Sequence, residues 1–477
     1  SMYWRYVPMI LISVGTEAAE LRVGGDSYQD KLITEAREMH QLVEIENPVD
    51  KRIERIVVVP YDVFQAGELF PLVLNSVHWT THEEVIRREL LFQEGDVWDQ
   101  DLAEESARNL RSYLFVSVGR IVAVRGSTPE TIQVLVVTKD LWSLRINQDW
   151  SFVGSRLEFL ELEMVEQNLL GRMKTIGPNL RMDLATFSAG QTYLDPRTFG
   201  SRIQLDQKAQ FILNRQTARS EGGTFRLIVG RPLYSLKSPY GWDLTLDYRR
   251  DINRLFSDGE IYRKQLAVSG ESIPFVYHRE LGDFKVRWIQ SYGLERKHNF
   301  SGGYRSLIRT FVLPSETVRD HSTAALEEFQ NQEMPFSEKA GMVYANYRFY
   351  TPTYHPKVDI NSYAWTEDFR VGPSTETEFR FAHPAFGWSA RYVEARATAD
   401  WGFDWEDHLL NTGMGAVIRH QPEAPPATIW VDRLWTVKVA YVLPSWGPVR
   451  FHIGGRFVRT SFDLDHGEEA LGGNGSL

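Results

Sequence analysis

The 477-residue sequence contains no cysteine. That excludes disulfides, thiolate metal sites, iron–sulfur clusters and cysteine nucleophiles together. Long apolar runs are also missing. The longest largely apolar stretch, Val7 to Val14, falls far short of the roughly 20 residues a membrane-spanning helix requires, so helical transport is excluded. Nor is there an excess of positive charge: Lys and Arg number 53 against 63 Asp and Glu, a net charge of −10. A global basic footprint for nucleic acid is therefore absent. What the sequence has in quantity is aromatic residues, 13% of the chain with 14 Trp, 20 Tyr and 26 Phe. Charged residues still make up 24%, which fits neither a disordered chain nor a helical membrane protein. A transmembrane β-barrel stays open, because its strands alternate and never build a long apolar run. The length allows roughly two to four domains and a core that needs no covalent staple.

Along the chain, residues 1–25 place Arg5 before the apolar Val7–Val14 stretch and small residues at Ala18 and Ala19. This is the order of a secretory signal, although Glu17 spoils the small-x-small exit, and a buried strand or a cloning remnant fits as well. Residues 26–50 are polar and mixed, and read as a linker or short helix. From residue 51 the pattern sharpens. Arg55–Val59 is a β-branched run that predicts a strand. Thr80 with Glu83, and Asp101 with Glu104, have capping-box spacing. They open two helices whose apolar faces are Val85, Ile86 and Leu90, then Leu102, Ser106, Ala107, Leu110 and Leu114. Val116–Val124 and Ile132–Val137 predict two further strands around the Gly126–Pro129 turn. The order strand, helix, helix, strand, strand over residues 51–140 predicts a small α+β domain.

Beyond about residue 150, strict alternation replaces the helical signal. Trp242, Leu244, Leu246 and Tyr248 alternate with Asp243, Thr245, Asp247 and Arg249. Val393, Ala395, Ala397, Ala399 and Trp401 alternate with Glu394, Arg396, Thr398 and Asp400, and Trp435–Tyr441 repeats the pattern. The runs approach the 9–11 residues that cross a bilayer, aromatics sit at the ends of apolar faces, and full charges of both signs occupy the other face. A soluble β-sandwich with an aromatic core is the competing reading. Ser315–Glu338 has little β signal and reads as a solvated loop.

Catalytic signatures are thin. His82-Glu83-Glu84 lacks the second His of a zinc helix, because position 86 is Ile. Asp463, Asp465, Gly467 and Glu468 fall short of a calcium loop's oxygen count. Glu158, Glu161 and Glu163 fit a polar wall better than an acid–base pair. No Gly-x-Ser-x-Gly elbow, phosphate loop or dinucleotide fingerprint occurs. The reading is of a protein that is not an enzyme and needs no cofactor or metal.

Glu84–Asp96 followed by Asp101–Arg111 resembles a polypeptide-transport-associated (POTRA) domain. Asn168-Leu-Leu-Gly171 resembles the barrel entry of the BamA/TamA superfamily of outer-membrane proteins, and Tyr193–Gly200 resembles its next hairpin. Leu471, Gly472 and Gly473 resemble the start of that superfamily's sixth extracellular loop, which continues in the family into an Arg-Gly-aromatic motif. The chain stops before that motif. About fourteen strand candidates precede that point, where the family places about eleven. The resemblance implies an α+β POTRA domain at residues 51–140, followed over 150–477 by an antiparallel transmembrane β-barrel of about 16 strands, with the last strands missing from this chain.

It implies insertion or secretion of polypeptides at the bacterial outer membrane, with the N-terminal domain in the periplasm. The expected partners are unfolded outer-membrane or secreted polypeptide clients, the lipid bilayer and accessory periplasmic lipoproteins, with no nucleic acid. Clients would add as a strand to the POTRA edge, at Val116, Val118, Arg120, Val122 and Val124. The first barrel strand, carrying Leu157, Phe159 and Leu162 and followed by Asn168 and Gly171, would form a lateral seam. A passive channel or receptor, and a soluble carbohydrate-active protein using its Trp and Tyr surfaces, are the alternatives.

Overall fold

The computed structural model describes residues 5–14, 26–63, 79–153, 156–358, 360, 366–422, 429–444, 446 and 449–461. After a first strand, β1 (Arg5–Val14), the chain forms α1 (Asp26–Met39), β2 (Arg52–Tyr61), α2 (Glu83–Glu89), α3 (Gln100–Arg111), β3 (Val116–Arg125) and β4 (Thr131–Asp140). From β2 onward this is the strand, helix, helix, strand, strand order read in the sequence. β4 is central, parallel to β2 and antiparallel to β3. Both its faces are covered, which is why Ile132–Val137 is almost continuously apolar. On one face Val85, Ile86, Leu90 and Leu110 of the helical segment meet Ile53, Ile56, Ile132, Val134 and Val136. On the other, Leu32, Ile33 and Ala36 of α1 meet Val57, Val59, Val118, Leu135 and Val137. Each such fully buried side chain contributes about 1.5–3 kcal/mol.

The stretch 26–50 takes the helix alternative, and α1 covers a sheet face that would otherwise expose six valine and leucine side chains. The capping boxes are displaced: Asp99 caps α3 through the Leu102 N–H at 3.1 Å, and His82 stands before α2 without a side-chain cap bond.

The remaining strands are β5 (Leu144–Val153), β6 (Arg156–Glu166), β7 (Thr175–Asp183), β8 (Thr186–Asp195), β9 (Gln204–Asn214), β10 (Ser220–Arg231) and β11 (Tyr240–Arg254). Four short strands follow, β12 (Phe256–Ser257), β13 (Glu260–Ile261), β14 (Arg263–Gln265) and β15 (Ser272–Pro274). Then come β16 (Val276–Tyr292), β17 (Lys297–Val312), α4 (Ser315–Asp320), α5 (Thr323–Gln332), β18 (Glu338–Tyr350), β19 (Thr353–Val358) and β20 (Thr366–Ala382). β21 (Tyr392–Trp405), β22 (His408–His420), β23 (Trp430–Val442) and β24 (Val449–Ser461) end the series.

All but the four short strands join one antiparallel sheet of 17 strands with β1. Neighbours in sequence are neighbours in space, with β19 pairing to the start of β20 and β18 to the rest. β1 lies against β24, from Arg5↔Val458 to Val14↔Val449. Among the described residues β5 has a ladder only with β6.

The alternation sorts the two faces. Trp242, Leu244 and Leu246 stand opposite Trp288, Val286 and Phe284 on one face, where Trp288, Phe379 and Trp435 are 51%, 60% and 61% exposed. The other face holds ion pairs: Asp243–Arg287, Asp283–Arg305, and Glu394 between Arg380 and Arg396. The sheet curls around this charged face, so that Phe159 of β6 and Arg279 of β16 line one cavity of about 520 Å³. An apolar outer face this continuous exceeds what a soluble monomer normally exposes.

Residues 315–338 do not form the expected solvated loop. α5 buries Ala325 and Phe329 completely against Leu266, Ile273, Leu313 and Met334, drawn from the loop between β11 and β16 and from both flanks of the helices. The Glu328 carboxylate accepts the Val268 and Ser269 N–H groups, both at 2.9 Å. The β11–β16 and β17–β18 connections thus form an ordered cap at the end of the sheet opposite the α+β domain.

Candidate functional site

The client edge expected at Val116–Val124 falls on β3. β3 borders the three-stranded sheet, paired to β4 on one side. On its other side it takes a backbone partner, among the described residues, only at its end: Arg125 N–H donates to Val43 O, and Glu44 bridges Val124. Val116, Val118 and Val124 are buried, whereas Arg120 and Val122 are half-exposed.

The strand expected to come first in the sheet comes second. β6, which carries Leu157, Phe159 and Leu162, is not the first strand; β5 precedes it and pairs with it from Leu144↔Glu166 to Val153↔Arg156. Ile146, Trp150 and Phe152 of β5 are exposed apolar residues at even spacing, a strand signal placed too close to the domain boundary to stand out. The odd phase of Phe159 also has a cause. It faces the charged side, buried beneath the Arg181 guanidinium 4.5 Å from its ring, while Leu162 faces outward.

Asn168 and Gly171 sit in the turn after β6. Asn168 is 1% exposed and its amide donates to Trp79 O at 3.1 Å and Thr81 Oγ1 at 3.0 Å. Its Oδ1 accepts the Met173 N–H at 2.9 Å. Thr81 in turn donates its N–H to Asp140 Oδ2 at 2.7 Å, so Asp140, the last residue of β4, is tied to the turn after β6. Gly171 has φ +66°, and a Cβ there would lie 2.5 Å from Thr80 O. The turn after β8 repeats the geometry: Leu170 and Phe199 both have φ 53°, each followed by a positive-φ glycine, Gly171 or Gly200. The two turns grip opposite ends of α2, the second through an ion pair between Arg197 and the buried Glu89.

α3 extends this joint. Glu105 accepts the Leu236 N–H at 2.6 Å, Asp99 pairs with Lys237 at 2.6 Å, and Asn109 donates to Tyr234 O at 3.2 Å, all on the turn after β10. At its far end Arg111 forms a two-pronged pair with Asp368 of β20, at 2.8 and 3.2 Å, while its third nitrogen donates to Gly119 O of β3. Arg108 lies 4.5 Å over the Tyr354 ring of β19. One helix therefore bridges turns that are four long strands apart, β10 and β20. The Lys237 ammonium beside Asp99 holds its carboxyl below the usual range. Burial, then the nearby Glu89 charge, pushes the Tyr113 phenol up.

Glu105 and Arg111 belong to the POTRA-like segment, but the sequence named no partner for them, nor for Asp140 or Asp368; Arg111 and Asp368 are 257 positions apart, and no local pattern joins them. The expected loop residues Leu471, Gly472 and Gly473 lie outside the described residues. Among the described residues no cluster of three or more metal-ligating side chains occurs.

No protein-family model matches the chain, and no curated protein matches it. Solved structures do. BamA from Haemophilus ducreyi lacking POTRA domains 1–3 aligns at 12% identity over 85% of this chain and 84% of that one, with a TM-score of 0.34. CdiB from Acinetobacter baumannii aligns at 9% identity over 86% and 74%, with a TM-score of 0.35. CdiB from Escherichia coli aligns at 12% identity over 86% and 77%, with a TM-score of 0.38. Likenesses this loose decide nothing about function, which has to be reasoned from the geometry.

Proposed function

We propose that this chain is an outer-membrane β-barrel protein that inserts or secretes polypeptides, with the α+β domain on the periplasmic side. The observation that carries the reading is the half-open β3 edge held directly over the turn end of a sheet with an apolar outer and a charged inner face. An extended client can hydrogen-bond to such an edge with little side-chain specificity. Arg111 supports the coupling, since it contacts β3 at Gly119 and the large sheet at Asp368 at once. The lateral seam belongs at β5, which among the described residues has a ladder on one edge, rather than at β6. No enzymatic step and no cofactor enter this reading. The clients are unfolded outer-membrane or secreted polypeptides, and accessory periplasmic lipoproteins belong to the same expectation.

The test is a photo-crosslinking residue at position 120 or 122, presented with an unfolded client in reconstituted vesicles. Crosslinks at these edge positions, and none from a position on α1, are the expected result. Client assembly that proceeds unchanged after deletion of residues 51–140 would count decisively against the proposal. The passive-channel alternative predicts steady ion conductance with no client crosslink. The α3 bridge across the turn end speaks against it.

A further inference from the structure

A row of stacked cations and aromatic rings runs from the exposed face of the large sheet into the joint. Tyr240 and Trp288 lie on that face, 37% and 51% exposed, with their rings stacked at 5.1 Å. The Arg231 guanidinium sits 4.2 Å over the Tyr240 ring and 4.9 Å from the Tyr234 ring. Arg202 lies 4.6 Å over Tyr234. The row ends in a cleft of about 340 Å³ between the α+β domain and the turn after β10, with Leu90, Phe92, Leu102 and Pro239 on its apolar side.

The charges here do not balance. Among the described residues neither Arg202 nor Arg231 forms an ion pair. Arg202 donates to Leu90 O at 3.1 Å, and its Nη1 is buried without a hydrogen-bond partner. Arg231 donates to Tyr240 O and to the Tyr234 hydroxyl. Lys297, 2% exposed, donates to Leu236 O. Of the neighbouring carboxylates, Asp99 pairs with Lys237 and Glu105 accepts the Leu236 N–H and the Ser235 hydroxyl; Glu89 pairs with Arg197 through one oxygen and keeps the other buried without a hydrogen-bond partner. An unneutralised, partly buried guanidinium with a free N–H is a recognition group for a phosphate oxygen.

We infer that Arg202 and Arg231, stacked about Tyr234, bind the anionic phosphate headgroup of a membrane phospholipid, with its acyl chains along Tyr240 and Trp288. A lipid is favoured over a free anion because the cation row is continuous with the exposed apolar face. Basic pockets at that level of a membrane protein take headgroups. The inference rests on the membrane reading proposed above.

The experiment uses the full chain reconstituted into phosphatidylcholine vesicles with and without a minority of phosphatidylglycerol, then extracted in a neutral detergent. Lipid retained by the protein is counted by native mass spectrometry. Wild type should keep phosphatidylglycerol in preference to phosphatidylcholine, and Arg202→Gln should weaken that retention about tenfold. Because Arg202 also holds Leu90 O, Arg231→Gln is the second variant; it leaves that bond intact and should weaken retention in the same direction. Equal retention of the two lipids by wild type, or retention unchanged in both variants, overturns the inference. Inorganic phosphate that displaces the lipid and stabilises the protein equally well would assign the site to a free anion, and overturn the lipid. Failure to enter vesicles of either composition would instead overturn the membrane reading, a distinct result seen before any lipid is counted.

Discussion

The two ends of the large sheet are closed by different physics. At the loop end, α5 and the β11–β16 connection share an apolar cluster in which Phe329, Ala325 and Ile273 are completely buried. At the turn end, the α+β domain is attached by Asn168, Asp140, Glu89, Glu105 and Arg111, each a polar or charged group with a directional partner. Apolar contact is non-directional and proportional to area, so it fastens a cap without fixing its angle. Hydrogen-bonded pairs fix orientation but add little net stability, because each group gives up water to form them. The loop cap rests chiefly on buried apolar area, and the joint chiefly on directional polar contacts.

The sharpest way to break that comparison is Phe329→Ala. Removing a fully buried ring from the loop cap should cost about 3–5 kcal/mol there. Hydrogen exchange should accelerate over Thr323–Gln332 and remain unchanged over Gln100–Arg111; equal acceleration at both would mean that the ends are one cooperative unit. Asp140→Ala comes next. It strands the Thr81 N–H and hydroxyl in a buried site, at about 1–3 kcal/mol, and should loosen the turn at 168–171 in limited proteolysis while sparing the loop cap. A double-mutant cycle of Arg111→Ala and Asp368→Ala, in urea denaturation of the reconstituted protein, should give a coupling of about 1 kcal/mol. A coupling of zero would remove α3 as a bridge.

The smallest effect is that of pH, and its sign follows from the causes. Backbone N–H donation from Val268 holds the Glu328 carboxyl below its usual range, and the Ser322 hydroxyl and His321 do the same for Glu271. Asp99 is held low by Lys237. A carboxyl lowered in the folded state stabilises above its unfolded value, and that contribution is lost as pH falls through the folded one. Both ends should therefore loosen on acidification below about pH 4. Exchange followed through that pH checks it, and loosening confined to near-neutral pH would assign the effect to an imidazole such as His321.

The legibility of the sequence varied with the range of the interaction. The strand, helix, helix, strand, strand order was readable because each element carries its own periodicity, as in Ile132–Val137 or Val85, Ile86 and Leu90. The outer and inner faces of the large sheet were readable for the same reason, through pairs such as Trp242 and Asp243. β5 was missed because Ile146, Trp150 and Phe152 sit at the boundary between the α+β domain and the large sheet, where β5 starts at Leu144, only four residues after Asp140 ends β4. The loop cap was missed because Phe329 and Ile273 are each one apolar residue in a polar segment, and only their meeting makes a core. Asn168 and Gly171 were noticed as a turn, but spacing marks a turn without naming what it touches, so their contacts with Thr81 and Thr80 were not foreseen.

By itself the sequence determined what is periodic: which residues form strands, which face of each is apolar, and that no helix crosses a membrane. Those properties repeat every two or every 3.6 residues and need no partner to be seen. Only the tertiary structure decided what meets at long range: Arg111 with Asp368, Thr81 with Asp140 and Asn168, and Arg202 and Arg231 about Tyr234. Such contacts are set by how the sheet curls and where the α+β domain lands on its turns, and no local pattern in the chain encodes either.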